Sequence, residues 1–375
     1  MRVALVHHWL VTWRGGERVL AEICRLFPEA PIYTLFGGPD LMPEPIASHA
    51  GHTSFLDAGR RFREILLPLY PLANRFLDLR EYDLVISSDA SVVKGVRTRP
   101  DATHLCYCYA PARYAWDFPH EYVNAQVPGI LRPLAHAGLA WIRHYDRRAA
   151  CRVDGFATSS RAVAQRIQQH YARDATIVAP PVDLARFAPD EAVAREDFYL
   201  CAGQLVPYKR ADLAVEACRR SGRRLVVVGE GPMEEGLRAL AGDGVEVRGA
   251  CSDEELCDLY RRCRALIFPG EEDFGIVPLE AMACGAPVVA LGRGGALETV
   301  VGRPAGEPVP PAATGIFFDE ASPESLCSAL DALESGVSFD PAVARRRALE
   351  FSPMAFRDGF SAWIDRQVPG LRAAG

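Results

Sequence analysis

The stretch 271–289, EEDFGIVPLEAMACGAPVV, carries the strongest indication of fold class in this chain. It follows an apolar run at 265–268 that predicts a buried strand, and Pro278 stands where the first turn of a helix is expected. A second apolar run at 287–290 predicts the next strand. The order strand, loop, helix, strand is typical of an open parallel sheet, which binds ligands in the loops after its strands.

The same alternation continues in both directions along the chain, and it favours parallel sheets covered by helices on both faces. In the first half we predict strands at 2–6, 31–35, 83–87, 104–108, 155–158 and 176–179. In the second half we predict strands at 198–202, 224–228, 245–248, 265–268, 287–290 and 315–317. The fold class is therefore α/β, with the same Rossmann-like architecture in each half.

The join between the halves lies where three prolines interrupt regular structure, at Pro180, Pro181 and Pro189. We predict a first domain over 1–180 and a second over 190–351. A last helix at 352–370 carries apolar residues on one face, at spacings of three and four. We expect this helix to cross back onto the first domain; the alternative is that it packs on the second.

Composition limits the classes of protein that this chain can be. Its 375 residues suffice for two domains, and its net charge of −6 argues against a nucleic-acid-binding protein. The eleven cysteines follow no zinc or disulfide spacing, and the chain lacks an apolar run long enough for a membrane span. We therefore expect a cytoplasmic protein.

Two arginine clusters in the first half have two interpretations. One is a solvated face. The other is attraction to an anionic membrane or to a lipid-linked phosphate, which would place the protein peripherally on the inner face of the cytoplasmic membrane. The clusters are Arg60, Arg61 and Arg63, and Arg143, Arg147, Arg148 and Arg152.

Two glutamates in the opening stretch are candidate ligand-binding residues. Glu272 lies in the loop, where its carboxylate can accept hydrogen bonds from sugar hydroxyls, and Glu280 is expected in the first helical turn, where it can hold two ribose hydroxyls. Between them, the amides of Phe274, Gly275 and Ile276 can face a sugar or a phosphate.

A second segment at 202–210, AGQLVPYKR, also lies between a predicted strand and a predicted helix. Lys209 there can neutralise a departing diphosphate. Arg210 beside it is either a second phosphate cation or an exposed residue of the first helical turn.

The 271–289 segment resembles the signature of the family 4 retaining glycosyltransferases, which have the GT-B fold. The agreement covers the spacing of the two glutamates, the Phe-Gly between them and the pattern EAMAxGxPVV that follows. The resemblance implies two Rossmann-like domains that face each other across a cleft, with the nucleotide sugar bound by the second domain. It also implies Lys209 and Glu272 as catalytic residues and Glu280 as a ribose ligand.

Further donor-binding positions follow from the same resemblance. The family's glycine after the strand is Gly203, but the arginine that usually follows it is Gln204 here, so one of the two usual phosphate cations is missing. Gly229 lies in the family's glycine-containing turn, and Arg248 lies where main chain contacts the base. GT-B enzymes stabilise the leaving group with cations and helix termini, so we expect neither a metal nor a cofactor.

The first half supplies the expected acceptor side. Gly15 and Gly16 follow the first strand and can admit a phosphate or a sugar. The segment 107–117, YCYAPARYAWD, resembles that of bacterial enzymes of O-antigen and exopolysaccharide synthesis, mannosyltransferases among them, and it marks Tyr109 and Arg113 as candidates. Those relatives commonly carry histidine at the Tyr109 position.

His7 and His8 are adjacent histidines, a residue type that often binds metal ions. As neighbours in a strand, they are expected to point to opposite faces and not to share an ion.

The functional hypothesis is a retaining hexosyltransferase that moves mannose from GDP-mannose, or another sugar from a UDP-sugar, to a saccharide or lipid-linked saccharide of a bacterial surface polysaccharide. Two other classes stay open. One is a GT-B sugar-nucleotide epimerase, and the other is a non-catalytic sensor of sugar nucleotides, for which Gln204 and Tyr109 are the supporting departures from the family pattern.

Overall fold

The computed structural model describes residues 1–304, 310–336 and 338–369. Residue 370, the predicted end of the last helix, lies outside the described residues. The chain divides into two units: one comprises Met1–Pro181 together with the chain from Phe356 onward, and the other comprises Val182–Ala355.

The first unit is built on a seven-stranded sheet of order β3-β2-β1-β4-β5-β6-β7, in which every neighbouring pair is parallel. Its strands are β1 (Val3–Leu10), β2 (Ile32–Gly37), β3 (Gly51–Thr53), β4 (Leu84–Asp89), β5 (Thr103–Cys108), β6 (Gly155–Thr158) and β7 (Ala175–Ile177). Its helices are α1 (Gly15–Leu26), α2 (Tyr70–Phe76), α3 (Arg113–Trp116), α4 (Pro119–Gln126), α5 (Arg132–Ala150) and α6 (Arg161–Tyr171).

The second unit repeats this plan with a seven-stranded parallel sheet of order β10-β9-β8-β11-β12-β14-β13. Its strands are β8 (Tyr199–Ala202), β9 (Leu225–Val228), β10 (Val245–Gly249), β11 (Ala265–Phe268), β12 (Val288–Leu291), β13 (Gly302–Pro304) and β14 (Gly315–Phe318). Its helices are α7 (Ala211–Ser221), α8 (Glu234–Leu240), α9 (Asp253–Arg262), α10 (Ile276–Ala283), α11 (Ala296–Thr299), α12 (Pro323–Glu334) and α13 (Pro341–Leu349).

The α/β prediction is confirmed, since all twelve predicted strands are present. The central strands are buried along their whole length, which is why they read as continuous apolar runs. The short strands β3 and β13 were not predicted. All three residues of β3 are exposed, so they form no apolar pattern.

The last helix, α14 (Pro353–Gln367), places its apolar face in the core of the first unit. The rings of Phe356 and Phe360 lie 5.9 and 6.1 Å from the ring of Tyr107, a buried residue of β5. The same helix buries Trp363 and Ile364 in this core. Among the described residues, none of the helices is both long and apolar enough to cross a membrane.

Candidate functional site

The order of strands in the second unit contains a switch point that positions the candidate site. Strand β8 lies between β9 and β11, so the chain winds to one side of β8 first and to the other side afterwards. The loops after β8 and β11 therefore leave the carboxyl edge of the sheet in different directions, and a crevice opens between them. Open α/β sheets bind ligands in a crevice of this kind. Lys209 lies on the segment after β8, and Glu272 lies on the loop after β11.

These two residues meet. The Nζ atom of Lys209 lies 3.0 Å from Oε1 of Glu272, and both side chains are mostly buried, with 16% and 19% of their surfaces exposed. Burial by itself lowers the pKa of Lys209, but the carboxylate of Glu272 and the neighbouring Tyr208 outweigh it, and the pKa is raised. Lys209 is therefore a fixed positive charge at the switch point.

Two glycines allow the backbone around Lys209 to close in. Gly203 has a φ of +133°, and a β-carbon on it would lie 3.4 Å from Nζ of Lys209. A β-carbon on Gly270 would lie 2.6 Å from Cα of Lys209. Gly270 was not among the predicted site residues, although a glycine directly after a buried strand and a proline, at 268–270, is a signal for such a close approach.

The loop that carries Glu272 is held by the turn after β12. The amide of Gly295 donates a 2.8 Å hydrogen bond to the carbonyl of Glu272. A β-carbon on Gly295 would lie 2.3 Å from Cα of Phe274, and one on Gly294 would lie 2.6 Å from the carbonyl oxygen of Glu272. The carboxylate of Glu272 is thus fixed by backbone packing on a rigid sheet edge.

Helix α10 begins at Ile276, after Gly275 in a left-handed conformation with a φ of +102°. Phe274 is buried, with its ring 5.7 Å from that of Phe351, so the segment 274–276 is anchored at the start of the helix. Glu280 is the fifth residue of α10, and the prediction that it lies in the first turn is wrong. The helix starts two residues before Pro278, which moves Glu280 into the second turn.

Glu280 is buried, and the hydroxyl of Tyr260 on α9 donates a 3.3 Å hydrogen bond to its Oε2 atom. Burial, followed by the charge of Glu280, raises the pKa of Tyr260, so this hydroxyl keeps its proton. Tyr260 therefore orients the carboxylate that the sequence singled out as a ribose ligand.

The remaining predicted donor residues divide into backbone and side-chain positions. Gly229 follows β9 with a φ of +136°, and a β-carbon there would lie only 1.8 Å from the carbonyl oxygen of Gly203. Arg248 turns its guanidinium onto Glu246, at 2.8 and 3.0 Å, so only its main chain is available in the predicted role. Gln204 is exposed. Arg210 adopts a φ of +55° and holds Asp212 at 3.2 Å.

In the first unit, a chain of hydrogen bonds joins the glycine loop to the residue after β5 and to strands β4 and β1. The hydroxyl of Tyr109 donates to the carbonyl of Gly16 at 2.8 Å and lies 2.7 Å from the hydroxyl of Ser88. Ser88 in turn lies 3.0 Å from Nδ1 of His7. Burial raises the pKa of Tyr109 well above its usual value, so this residue acts as a neutral hydrogen-bonding group.

Gly15 and Gly16 open helix α1, and Glu17 completes the turn by accepting a 2.9 Å hydrogen bond from the amide of Arg14. Its other carboxylate oxygen lies 3.7 Å from Nε2 of His7. Arg113, the first residue of α3, lies 3.8 Å from Asp117 and stacks on the ring of Phe118 at 4.8 Å.

The expectation that His7 and His8 point apart is wrong, because their ring centroids are 4.3 Å apart. Strand β1 runs on to Leu10, and strand alternation fixes the directions of the β-carbons but not of the rings. His7, His8 and Glu17 bring ligand-type atoms within 4.8 Å of one another, and all three are buried. Burial and the adjacent His7 hold the pKa of His8 low, at about 3. That no metal is required stays a prediction.

Comparison with known proteins gives the family of the second unit. Residues 186–342, which include Lys209, Glu272 and Glu280, match the family described as Glycosyl transferases group 1. A D-inositol 3-phosphate glycosyltransferase from Segniliparus rotundus is 30% identical over 250 residues, which are 59% of this chain and 52% of that protein.

A second relative is similar over a shorter region. A GDP-mannose-dependent alpha-(1-6)-phosphatidylinositol monomannoside mannosyltransferase from Mycobacterium tuberculosis is 36% identical over 149 residues, 32% of this chain and 39% of that protein. The chain thus spans about half or less of the length of the curated relatives it matches.

The likeness of fold extends over the whole chain. The structure of HepE from Anabaena in complex with UDP covers 98% of this chain and 100% of its own, with a TM-score of 0.68 and 13% identity. Residues 186–342 therefore match the glycosyl transferases group 1 family, and the chain as a whole has the GT-B fold.

Proposed function

We propose that this protein is a retaining glycosyltransferase that takes a sugar from a nucleoside diphosphate sugar bound by the second unit. The observation that carries the proposal is the Lys209–Glu272 ion pair, at 3.0 Å, across the switch point of a sheet that belongs to a glycosyltransferase domain. A buried cation and a carboxylate fixed side by side suit a ligand that has a diphosphate next to a sugar.

In this proposal, Lys209 stabilises the charge that develops on the diphosphate as the bond to the sugar breaks. Glu272 accepts hydrogen bonds from sugar hydroxyls and fixes the orientation of the ring. The acceptor hydroxyl attacks from the face that the diphosphate leaves, and the departing phosphate oxygen takes its proton. The protein thus acts by positioning and charge stabilisation.

Nucleotide binding is assigned to three groups of the same unit. Glu280, oriented by Tyr260, accepts hydrogen bonds from the ribose hydroxyls. The amides at 274–276 face the sugar or the diphosphate at the start of α10, where the helix dipole favours negative charge. The main chain at 247–249 contacts the base.

GDP-mannose is the first donor to test, and a relative from Mycobacterium tuberculosis named as GDP-mannose-dependent supports it. A UDP-sugar is the second, because main-chain recognition leaves little trace of the base in the side chains. Thermal shift with GDP, UDP, GDP-mannose and UDP-sugars separates the two. Stabilisation by the UDP series alone would reject GDP-mannose.

The acceptor is proposed to be a saccharide or a lipid-linked saccharide of a bacterial surface polysaccharide, bound at the glycine loop of the first unit. Gly15, Gly16 and Tyr109 form this loop site. Two relatives are named for acceptors that contain inositol, so an acceptor panel should include inositol phosphates and phosphatidylinositol glycosides beside polyprenyl-linked saccharides.

Nucleotide release from the donor panel, with and without acceptors, tests the activity itself. We expect acceptor-dependent release of nucleoside diphosphate and a product with the anomeric configuration of the donor. An inverted product would reject the retaining mechanism. Conversion of the donor to an epimer without acceptor would indicate an epimerase, and binding without any turnover would indicate a sensor.

A further inference from the structure

A segment of the first unit, residues 55–76, presents apolar side chains on two opposite sides. It consists of successive helical turns, Phe55–Phe62, Leu67–Leu69 and then α2. One side packs into the core of the unit and includes Leu67, Tyr70 and Ala73. The other side is exposed although its residues recur at spacings of three and four, the period of a helix face. Its members and their exposed fractions are Phe62 (62%), Ile65 (77%), Leu69 (42%), Leu72 (44%) and Phe76 (68%).

A second segment, residues 130–141 around the start of α5, adds Ile130, Leu131, Leu134 and Trp141, with Ile130 90% exposed. Helix α5 packs against the first segment, since Asn74 of α2 donates a 3.2 Å hydrogen bond to the hydroxyl of Tyr145. Ten of the nineteen large hydrophobic side chains exposed among the described residues lie in these two segments. Scattered single residues need no explanation, but such a concentration indicates a binding surface.

The charges interleaved with this surface indicate what it binds. Residues 55–76 contain four arginines against Asp57 and Glu64, and Asp57 already lies 4.0 Å from Arg60. Arg60, Arg61 and Arg75 are exposed beside the apolar side chains. The boundary between the headgroups and the acyl chains of an anionic bilayer accepts apolar and cationic side chains together, and arginines that outnumber the acidic residues of the same segment favour anionic headgroups.

We propose that residues 55–76 and 130–141 form a membrane-binding surface, which inserts its apolar side chains at the boundary between headgroups and acyl chains of an anionic bilayer and pairs its arginines with lipid phosphates. This surface is a site separate from the donor site of the second unit. Only the biological reason for membrane binding rests on the proposed function, since a lipid-linked acceptor would be found at a membrane.

Vesicle flotation tests this surface with the full chain, using phosphatidylcholine vesicles with and without phosphatidylglycerol. We expect binding at least ~10-fold stronger to the anionic vesicles, and weaker binding at high salt, because several arginines contribute. The exposed pair Phe62→Ser/Ile65→Ser should lower the affinity by about 10-fold or more, through loss of apolar burial in the bilayer. Arg60→Gln/Arg61→Gln should reduce the preference for anionic lipid.

The matched control is Leu240→Ser/Leu349→Ser, two exposed leucines of the second unit, which should bind vesicles as the wild type does. Circular dichroism and thermal unfolding check that each variant is folded. Absence of vesicle binding, equal binding to both vesicle types, or binding that survives Phe62→Ser/Ile65→Ser would each overturn the proposal. Light scattering tests whether a second copy of the chain binds this surface instead. If the wild type is a dimer, does not bind vesicles and becomes a monomer in the Phe62→Ser/Ile65→Ser variant, the surface is a self-association interface and the proposal is overturned.

The vesicles contain neither donor nor acceptor, so the result is independent of catalysis. Turnover with a soluble acceptor should be the same for Phe62→Ser/Ile65→Ser and the wild type. An inactive wild-type protein that still binds anionic vesicles would contradict the proposed function and leave the surface in place.

Discussion

The ammonium of Lys209 lies 3.0 Å from the carboxylate of Glu272, although the two residues follow different strands of the second sheet. Each is held by backbone that only glycine permits, Gly270 against Lys209 and Gly294 against Glu272. The pair is therefore fixed before any ligand binds, and little reorganisation would be needed during the proposed sugar transfer.

The first prediction concerns this ion pair. Lys209→Ala and Glu272→Ala should each lower kcat by about 10²-fold or more, the usual effect of removing one charge-stabilising group. Steady-state nucleotide release measures the loss, with Arg220→Ala as a control on an exposed arginine of the same unit. Folded variants that turn over like the wild type would show that the site has been assigned wrongly.

The second prediction separates two glycines of the second unit. Gly229→Ala should lower the free energy of unfolding by at least ~2 kcal/mol, because its φ of +136° is strained for alanine and the new β-carbon would lie 1.8 Å from the Gly203 carbonyl. Gly236→Ala, in α8 with no atom within 4 Å of its β-carbon, should instead stabilise by about 0.5–1 kcal/mol.

Urea unfolding followed by circular dichroism measures both glycine variants. All five tryptophans lie in the first unit, at positions 9, 13, 116, 141 and 363, so their fluorescence shows whether that unit is left unchanged. Equal effects of the two substitutions would contradict the close approach of Gly229 to Gly203.

The third prediction compares two tyrosines that donate to glutamates in the second unit. Tyr260→Phe removes the hydrogen bond to Glu280 and should raise KM for the nucleotide sugar by roughly 3- to 10-fold with kcat little changed, from the loss of about one hydrogen bond. Tyr199→Phe removes the 2.6 Å bond to Glu334 at the amino end of β8, the end opposite the candidate site, and should leave KM unchanged. A shift in KM for both variants would indicate a general loss of stability.

The fourth prediction is a pH dependence of stability in the first unit. Burial, and next the charge of Arg152, lowers the pKa of His104 from 6.5 to about 4. The unfolded chain therefore takes up a proton below pH 6.5 that the folded chain takes up only near pH 4. The contribution of His104 to the free energy of unfolding is therefore complete above pH 6.5 and is lost as the pH falls to 4. The loss between pH 7 and pH 5 amounts to about 2 kcal/mol.

His104→Gln keeps a polar group near Ser87, which lies 3.0 Å from the histidine ring, but does not titrate. Its unfolding free energy, followed by tryptophan fluorescence, should fall less than that of the wild type between pH 7 and pH 5. Parallel losses in the two proteins would show that His104 is not responsible.

Strands and loops of the candidate site could be predicted because each has a local cause. A buried parallel strand is an apolar run, and Lys209, Glu272 and Gly275 lie in the loops that follow such runs. The position of Glu280 within the helix was misplaced by two residues, since Pro278 tolerates several positions at the start of a helix and the sequence does not show which one is used.

Features that depend on distant parts of the chain could not be predicted. The ring of His8 lies against that of His7 because of packing around β1, and the sequence pattern does not predict the orientation of a side-chain ring. The pairing of Arg210 with Asp212, and of Arg248 with Glu246, depends on how each side chain turns, which the sequence does not show. The spacing of Phe62, Ile65 and Leu69 predicts a helix face but not whether that face is covered.

The return of α14 to the first unit has a consequence for synthesis on the ribosome. The second unit is one continuous segment, Val182–Ala355. The core of the first unit, by contrast, is complete only after Phe356, Phe360 and Trp363 have left the ribosome. The unit that is translated first is thus the last whose core can be completed. Until then its open apolar side must be shielded, by a chaperone or by transient collapse. A nascent chain stalled before α14 would carry a second unit that is almost complete and a first unit whose core is still open.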